Sequence, residues 1–194
     1  GATVISVCMA TNILPHQAGV VCTALLMLLD DPELSSDQLC QHIAGPDFPT
    51  GGQILNSTEE LRQIYSTGSG SIRLRATWKT GPTSRGAKTV VVTSVPYMVN
   101  KATMLERMAE LIREGRVDGV TDLRDESSNE GVRVVIELRR DAPEEVVLNQ
   151  LYKLTPLQST FGVNMLALVS GRPVTLSLKG CLRHFLDFRR EVII

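Results

Sequence analysis

Between Leu61 and Leu105 the chain places Arg62, Arg73, Arg75, Lys79, Arg85, Lys88 and Lys101, with no Asp or Glu among them. Residues 1–60 are the reverse, carrying Asp30, Asp31, Glu33, Asp37, Asp47, Glu59 and Glu60 with no Lys or Arg. The formal net charge of -1 conceals this split. A basic block of such purity suits a phosphate-facing surface, because clustered cations raise the local potential and steer a polyanion toward it. It equally suits a solvated face, and charge alone does not separate the two.

Other chemistry-bearing residues form no catalytic constellation. Asp122-Leu123-Arg124-Asp125-Glu126-Ser127 gathers acids around an Arg. General acid–base work is one use of such a group, and a loop held by local ion pairs and side-chain caps is the plainer one. Gly68-Ser69-Gly70 precedes a strand pattern rather than a helix, so it reads as a tight turn and not a phosphate loop. No glycine loop ends in Lys and Ser or Thr, as a nucleotide hydrolase requires. A tyrosine nucleophile needs a basic group to stabilise its phenolate. Tyr97 follows Pro96 at a strand end, Tyr152 lies on the apolar side of a helix beside Leu148 and Leu151, and these two and Tyr65 read as packing residues. His16, His42 and His184 are scattered. Cys8, Cys22, Cys40 and Cys181 lack metal-ligand spacing, and they are expected to be buried free thiols of a reducing compartment. No catalytic residue, metal site or cofactor is therefore assigned to this chain.

These residues need elements to position them, and 194 residues with 43% hydrophobic content suffice for a sizeable core. No apolar run approaches the ~20 residues that span a bilayer, nor does the amino terminus read as a secretory signal. The expectation is a soluble, cytoplasmic protein with no membrane partner. Helical spacing over Ala18 to Leu29 predicts a buried helix. Ser35 with Gln38 and Ser57 with Glu60 match capping boxes, predicting short helices over Ser36 to Ile43 and Thr58 to Tyr65. Between these helices Gly45 to Gly52 is an ordered loop, its prolines and glycines forbidding a regular element.

From Ser71 to Lys79 the pattern alternates, with Ile72, Leu74, Ala76 and Trp78 on one face and Arg73, Arg75 and Lys79 on the other. That predicts one half-buried strand with a basic outer face, followed by a turn from Gly81-Pro82 to Gly86 and a return through Thr89 to Val95. Further along come a helix over Lys101 to Arg113, strands over Val117 to Leu123 and Val132 to Leu138, a helix over Pro143 to Leu154 and a strand over Phe161 to Val169. The order β-α-β-β-α-β, plus the hairpin strand, predicts an α+β fold: two helices on one face of a mainly antiparallel sheet, flanked by amino-terminal helices. Leu178 to Ile194 forms a last, projecting helix with no stop signal, from which the natural chain is expected to continue.

Several strings together resemble the DNA-cleaving A-subunit family of DNA gyrase and topoisomerase IV, the type IIA DNA topoisomerases. They are Met9-Ala10-Thr11-Asn12-Ile13, Gly45-Pro46-Asp47-Phe48-Pro49-Thr50-Gly51-Gly52, Ser71-Ile72-Arg73-Leu74-Arg75-Ala76, Pro96-Tyr97-Met98-Val99-Asn100-Lys101, Asp122-Leu123-Arg124-Asp125-Glu126-Ser127 and Phe161-Gly162-Val163-Asn164-Met165. The resemblance runs from Ile5 to Val192. It implies the tower region of the DNA breakage-reunion subunit, with residues 1–60 joining to a winged-helix domain, 61–175 forming the tower and 176–194 starting the long helix toward the dimer gate.

In the family the catalytic tyrosine follows an Arg in the winged-helix domain, and it has no counterpart here. Magnesium and ATP are implied only through a gyrase B-like partner subunit, alongside double-stranded DNA and a second A-like subunit. The family's isoleucine that inserts between base pairs corresponds to Ile5. Val4 and Cys8 stand where the family usually has glycines, and Ser69 where it commonly has Arg. The DNA-facing residues expected are Ile5, Arg73, Arg75, Lys79 and Lys101. The alternative from another class is a free-standing α+β module binding a small ligand or a protein.

Overall fold

A computed structural model describes residues 1–5, 9–82 and 86–194 of the chain. Cys8, Arg85 and the middle of the Gly81 to Gly86 turn lie outside the described residues. In chain order the elements begin with β1 (Ala2–Ile5), β2 (Ala10–Ile13), α1 (Ala18–Asp30), α2 (Ser36–His42), β3 (Gln53–Ile54), α3 (Thr58–Thr67), β4 (Ser69–Arg75), β5 (Thr77–Thr80) and β6 (Lys88–Ser94). They continue with α4 (Lys101–Arg113), β7 (Val120–Asp125), β8 (Val134–Leu138), α5 (Glu144–Leu154), β9 (Gln158–Asn164), β10 (Leu166–Val169), β11 (Arg172–Thr175) and α6 (Leu178–Ile193). Two compact units emerge. The first comprises Gly1–Pro49, Asn56–Ile72 and Phe161–Ile194, the second Thr50–Leu55 and Arg73–Thr160.

The second unit is the expected two-layer α+β body. Its antiparallel sheet has the order β5-β6-β8-β7. On the inner face Val90 stands opposite Ile136 and Val92 opposite Val134, while Met104, Met108 and Leu111 of α4 and Val147, Leu148 and Leu151 of α5 close over them. Spacings of four and three on each helix put those residues on one stripe, so both helices bury their apolar faces against the same sheet. Helix α4 starts where Asn100 accepts a hydrogen bond from the Thr103 amide.

Two predicted strands are each broken in two. The alternation from Ser71 to Lys79 divides at Ala76, so β4 and β5 belong to different sheets. At the break the Ala76 amide donates to the Leu157 carbonyl, 2.8 Å away, and the register slips between Thr77 and Trp78. Burial parity gives no warning, because Ile72, Leu74 and Ala76 are all buried and Trp78 half-buried straight through it. Likewise Phe161 to Val169 divides at Met165, whose amide donates to Gly68 and whose carbonyl accepts from Leu176. The order β-α-β-β-α-β holds along the chain from β6 to β9, but its last strand leaves the sheet of the other three.

Smaller shifts follow the same logic. The strand expected over Val117 to Leu123 runs instead over Val120–Asp125, so the acidic string is mostly strand and not loop. Its neighbour starts at Val134 rather than Val132.

In the first unit the sheet runs β1-β2-β9-β4, and helices α1, α2, α3 and α6 rest against one another. Both capping boxes form, with Ser35 and Ser57 each accepting from the amide three residues on while Gln38 and Glu60 reach back. Gly68 ends α3 at φ 75°, and a Cβ there would sit 2.0 Å from the Leu176 carbonyl oxygen, so only glycine fits. Helix α1, expected to be buried, buries only Ala24 and Leu28, leaving Leu26 and Leu29 exposed. Its composition is apolar on every side, so hydropathy reported length but not orientation. Helix α6 seats Leu178 and Leu182 and exposes Phe185, Phe188 and Val192. The thiol expectation holds for Cys40, which is buried; Cys181 is half-buried and Cys22 exposed.

Candidate functional site

Ile5 ends β1 and is 81% exposed, opposite Ala10 in the β1–β2 hairpin. Its support is built from polar side chains. Thr3 Oγ1 donates to Asn12 Oδ1 at 2.7 Å, Thr11 Oγ1 to the Leu166 carbonyl at 2.8 Å, and Asn164 Nδ2 to the Ala10 carbonyl at 2.6 Å. Asn12 in turn donates to the Gly162 carbonyl. Short amide and hydroxyl side chains reach neighbouring backbone in this way, and here they bind the hairpin to β9 and β10. Nothing local in the sequence marks Thr11, Asn12 and Asn164 as supports; they stand out only as members of the family strings. Burying an isoleucine side chain is worth about 1.5–3 kcal/mol, which Ile5 does not realise in this chain.

The cations Arg73, Arg75, Lys79 and Lys101 all lie in the second unit. They do not share one strand face. Arg73 is exposed on β4 and Lys79 is exposed on β5, beyond the break. Arg75 is half-buried: its Nη2 and Nε donate to Gln158 Oε1 at 2.8 and 3.3 Å, and its guanidinium lies 4.2 Å over the Tyr152 ring. Tyr152 is more than a packing residue, since its hydroxyl accepts from Trp78 Nε1 at 3.0 Å. Lys101 opens α4 and pairs with Asp125, Nζ to Oδ2 at 2.9 Å. Hydrogen bonding by Ser127, together with Lys101, holds the Asp125 carboxyl down to about 2.

The acidic string forms an ion network on the outer face of the sheet. Arg124 reaches Glu137 at 2.7 Å, Asp122 at 2.8 Å and Glu126 at 3.4 Å, and Arg133 reaches Glu126 at 3.1 Å. Glu137 and Asp122 push the Arg124 guanidinium further into its charged form, and Arg133 and Arg124 draw Glu126 down. Each of these acids is engaged by an opposite charge on the exposed sheet face, the local ion pairing that the plainer reading expected. Among the described residues no group of three or more His, Cys, Asp or Glu could hold a metal ion.

One part-buried polar pair had no signal in the sequence. His16 Nε2 lies 2.7 Å from the Tyr65 hydroxyl and Nδ1 3.1 Å from the Leu14 carbonyl. A carbonyl only accepts, so Nδ1 carries the proton and Nε2 accepts from Tyr65. Burial lowers the His16 pKa and raises that of Tyr65. The partners stand 49 positions apart, beyond the reach of any local pattern.

The first unit thus offers the exposed Ile5 on a braced hairpin, and the second unit separately offers the exposed cations Arg73 and Lys79. Comparison with known proteins decides the family. The family model for the A subunit of DNA gyrase/topoisomerase IV matches residues 1–194. This chain belongs to that family. It is 51% identical over 193 residues to the DNA gyrase A subunit of Halalkalibacterium halodurans, covering 100% of this chain and 23% of the relative. It is 45% identical to that of Lawsonia intracellularis and 48% identical to that of Staphylococcus epidermidis, again over the whole chain. The chain spans 22 to 24% of the length of these gyrase relatives. No described helix is long and apolar enough to cross a membrane.

Proposed function

We propose that this chain is the tower region of a gyrase A-like DNA breakage-reunion subunit, gripping and bending the gate segment of double-stranded DNA. The observation that carries the reading is the family match across residues 1–194. Two surface features support it: Ile5, at 81% exposure on a hairpin braced by Thr11, Asn12 and Asn164, and the exposed cations Arg73 and Lys79. Lys101, which opens α4 and pairs with Asp125, is a further candidate for a phosphate contact.

In this reading residues 1–60 lead from a winged-helix domain, 61–175 form the tower and 176–194 begin the helix toward the dimer gate. The tyrosine nucleophile belongs to the winged-helix domain. Magnesium and ATP serve the complete, cytoplasmic enzyme through a gyrase B-like partner subunit, and a second A-like subunit completes the assembly. The part played by this chain's own residues is mechanical. Opening a base step costs on the order of a few kcal/mol, so an apolar wedge acts only where other contacts hold the bent duplex. Phosphate contacts from Arg73 and Lys79 provide such holding without reading sequence.

The test is a bending assay on a full-length gyrase A-type protein carrying this sequence. Ile5→Ala is expected to reduce the bend, and an equal bend in both proteins removes the wedge role. The 194-residue chain by itself is expected not to relax supercoiled plasmid. Relaxation by the purified chain would contradict the assignment of the nucleophile elsewhere.

A further inference from the structure

We infer that Arg75 is a positioning residue for the DNA-facing surface and not a contact to DNA. The inference rests on the DNA-facing reading of Arg73 and Lys79 given above. Arg75 is the last residue of β4 and Trp78 the second of β5, and both are held by one side chain: the guanidinium lies 4.2 Å over the Tyr152 ring, and Trp78 Nε1 donates to the Tyr152 hydroxyl at 3.0 Å. The residue at the break, Ala76, donates its amide to Leu157 at 2.8 Å, and the next residue, Gln158, accepts both Arg75 bonds. Ties from the end of β4 and the start of β5 therefore converge on the segment from Tyr152 to Gln158.

Residues two apart on one strand keep a spacing of about 6.5 Å whatever their side chains do. Arg73 and Lys79 have no such guarantee, because they sit on opposite sides of a strand break. The angle at which the chain leaves β4 for β5 sets their separation, and the clasp around Tyr152 sets that angle. A guanidinium suits the task because its flat fork satisfies one oxygen twice while its face stacks on an aromatic ring. Lysine carries the same charge without the fork or the plane.

That difference supplies the experiment. Affinity for duplex DNA is measured against salt in a full-length gyrase A-type protein carrying this sequence, for Arg75→Lys, Arg75→Gln, Tyr152→Leu and the double variant Arg73→Gln with Lys79→Gln. Thermal unfolding and the emission of Trp78, the only tryptophan of the 194-residue chain, are followed in the same variants of that chain. A positioning role predicts that Arg75→Lys and Tyr152→Leu each lower affinity, by roughly threefold to tenfold, and shift Trp78 emission. Arg75→Gln is expected to leave the salt slope intact. Restored affinity in Arg75→Lys, with a slope loss of about 0.9 in Arg75→Gln, identifies a phosphate contact and overturns the inference. Unchanged affinity in Tyr152→Leu overturns it too. An unchanged slope in the double variant instead defeats the DNA-facing reading, and the positioning role falls with it. A shifted Trp78 emission in that case marks the clasp as purely structural.

Discussion

The two units spend their apolar residues differently. In the second unit Val90, Val134, Leu111 and Leu151 are all at 0% exposure, and α4, α5 and the sheet consume one another's hydrophobic faces. In the first unit Ile5 is 81% exposed, Leu26 62% and Phe188 60%, although the same kinds of side chain are involved. The contrast is one of degree: Leu39 and Ile72 of the first unit are at 0% exposure, and Met98 and Val146 of the second at 61% and 52%, but most of the exposed large apolar side chains belong to the first. The difference between the units thus lies in the apolar side chains left at the surface, most of them in the first, and not in the presence of a core.

That contrast can be broken most directly by truncation. Ile136→Ala empties a fully buried position beneath α4 and α5, and the expected loss is about 2–5 kcal/mol in chemical denaturation. Leu26→Ala on the exposed face of α1 is expected to stay within about 0.5 kcal/mol. Comparable losses at both positions would erase the difference between buried and exposed apolar positions.

In the first unit His16 and Tyr65 form a part-buried polar tie, and removing it is expected to cost less. His16→Phe leaves the Tyr65 hydroxyl without its acceptor, a loss of about 1–3 kcal/mol. Titration sharpens the point. Burial lowers the His16 pKa from its ordinary 6.5, so the unfolded chain binds the proton more readily than the folded one. The stabilisation is therefore present above that value and is lost as pH falls through the folded pKa. Between about pH 7 and pH 5 the denaturation midpoint is expected to fall, and His16→Gln, which does not titrate, is expected to flatten the slope. Identical slopes would show that the ring is not held neutral.

The smallest effect expected is at a helix start. Ser57→Ala removes one half of the capping box on α3, for a loss of about 1 kcal/mol read from the same denaturation curves. A loss as large as that at Ile136 would mean that the first unit relies on its caps as the second relies on its core.

Local patterns carried much of this molecule. The boxes at Ser35 and Ser57 are read within four residues, because the atoms that satisfy a helix start come from its own first turn. Helix α4 follows from apolar spacing alone, and the two-layer body follows from the order of its elements. The family, too, was legible in a few strings spread from Met9 to Met165.

Tertiary structure alone decided where a strand changes sheets. At Ala76 the sequence alternation runs on to Trp78 while the backbone takes a hydrogen-bond partner far away in sequence, Leu157, and at Met165, where an apolar run follows, the partners are Gly68 and Leu176. Side-chain parity records which face is buried and says nothing about which strand lies alongside. For the same reason Arg73 and Arg75 look equivalent in the sequence, two residues apart on one predicted face. Only the arrival of Tyr152 and Gln158 beside Arg75 makes it half-buried while Arg73 stays exposed.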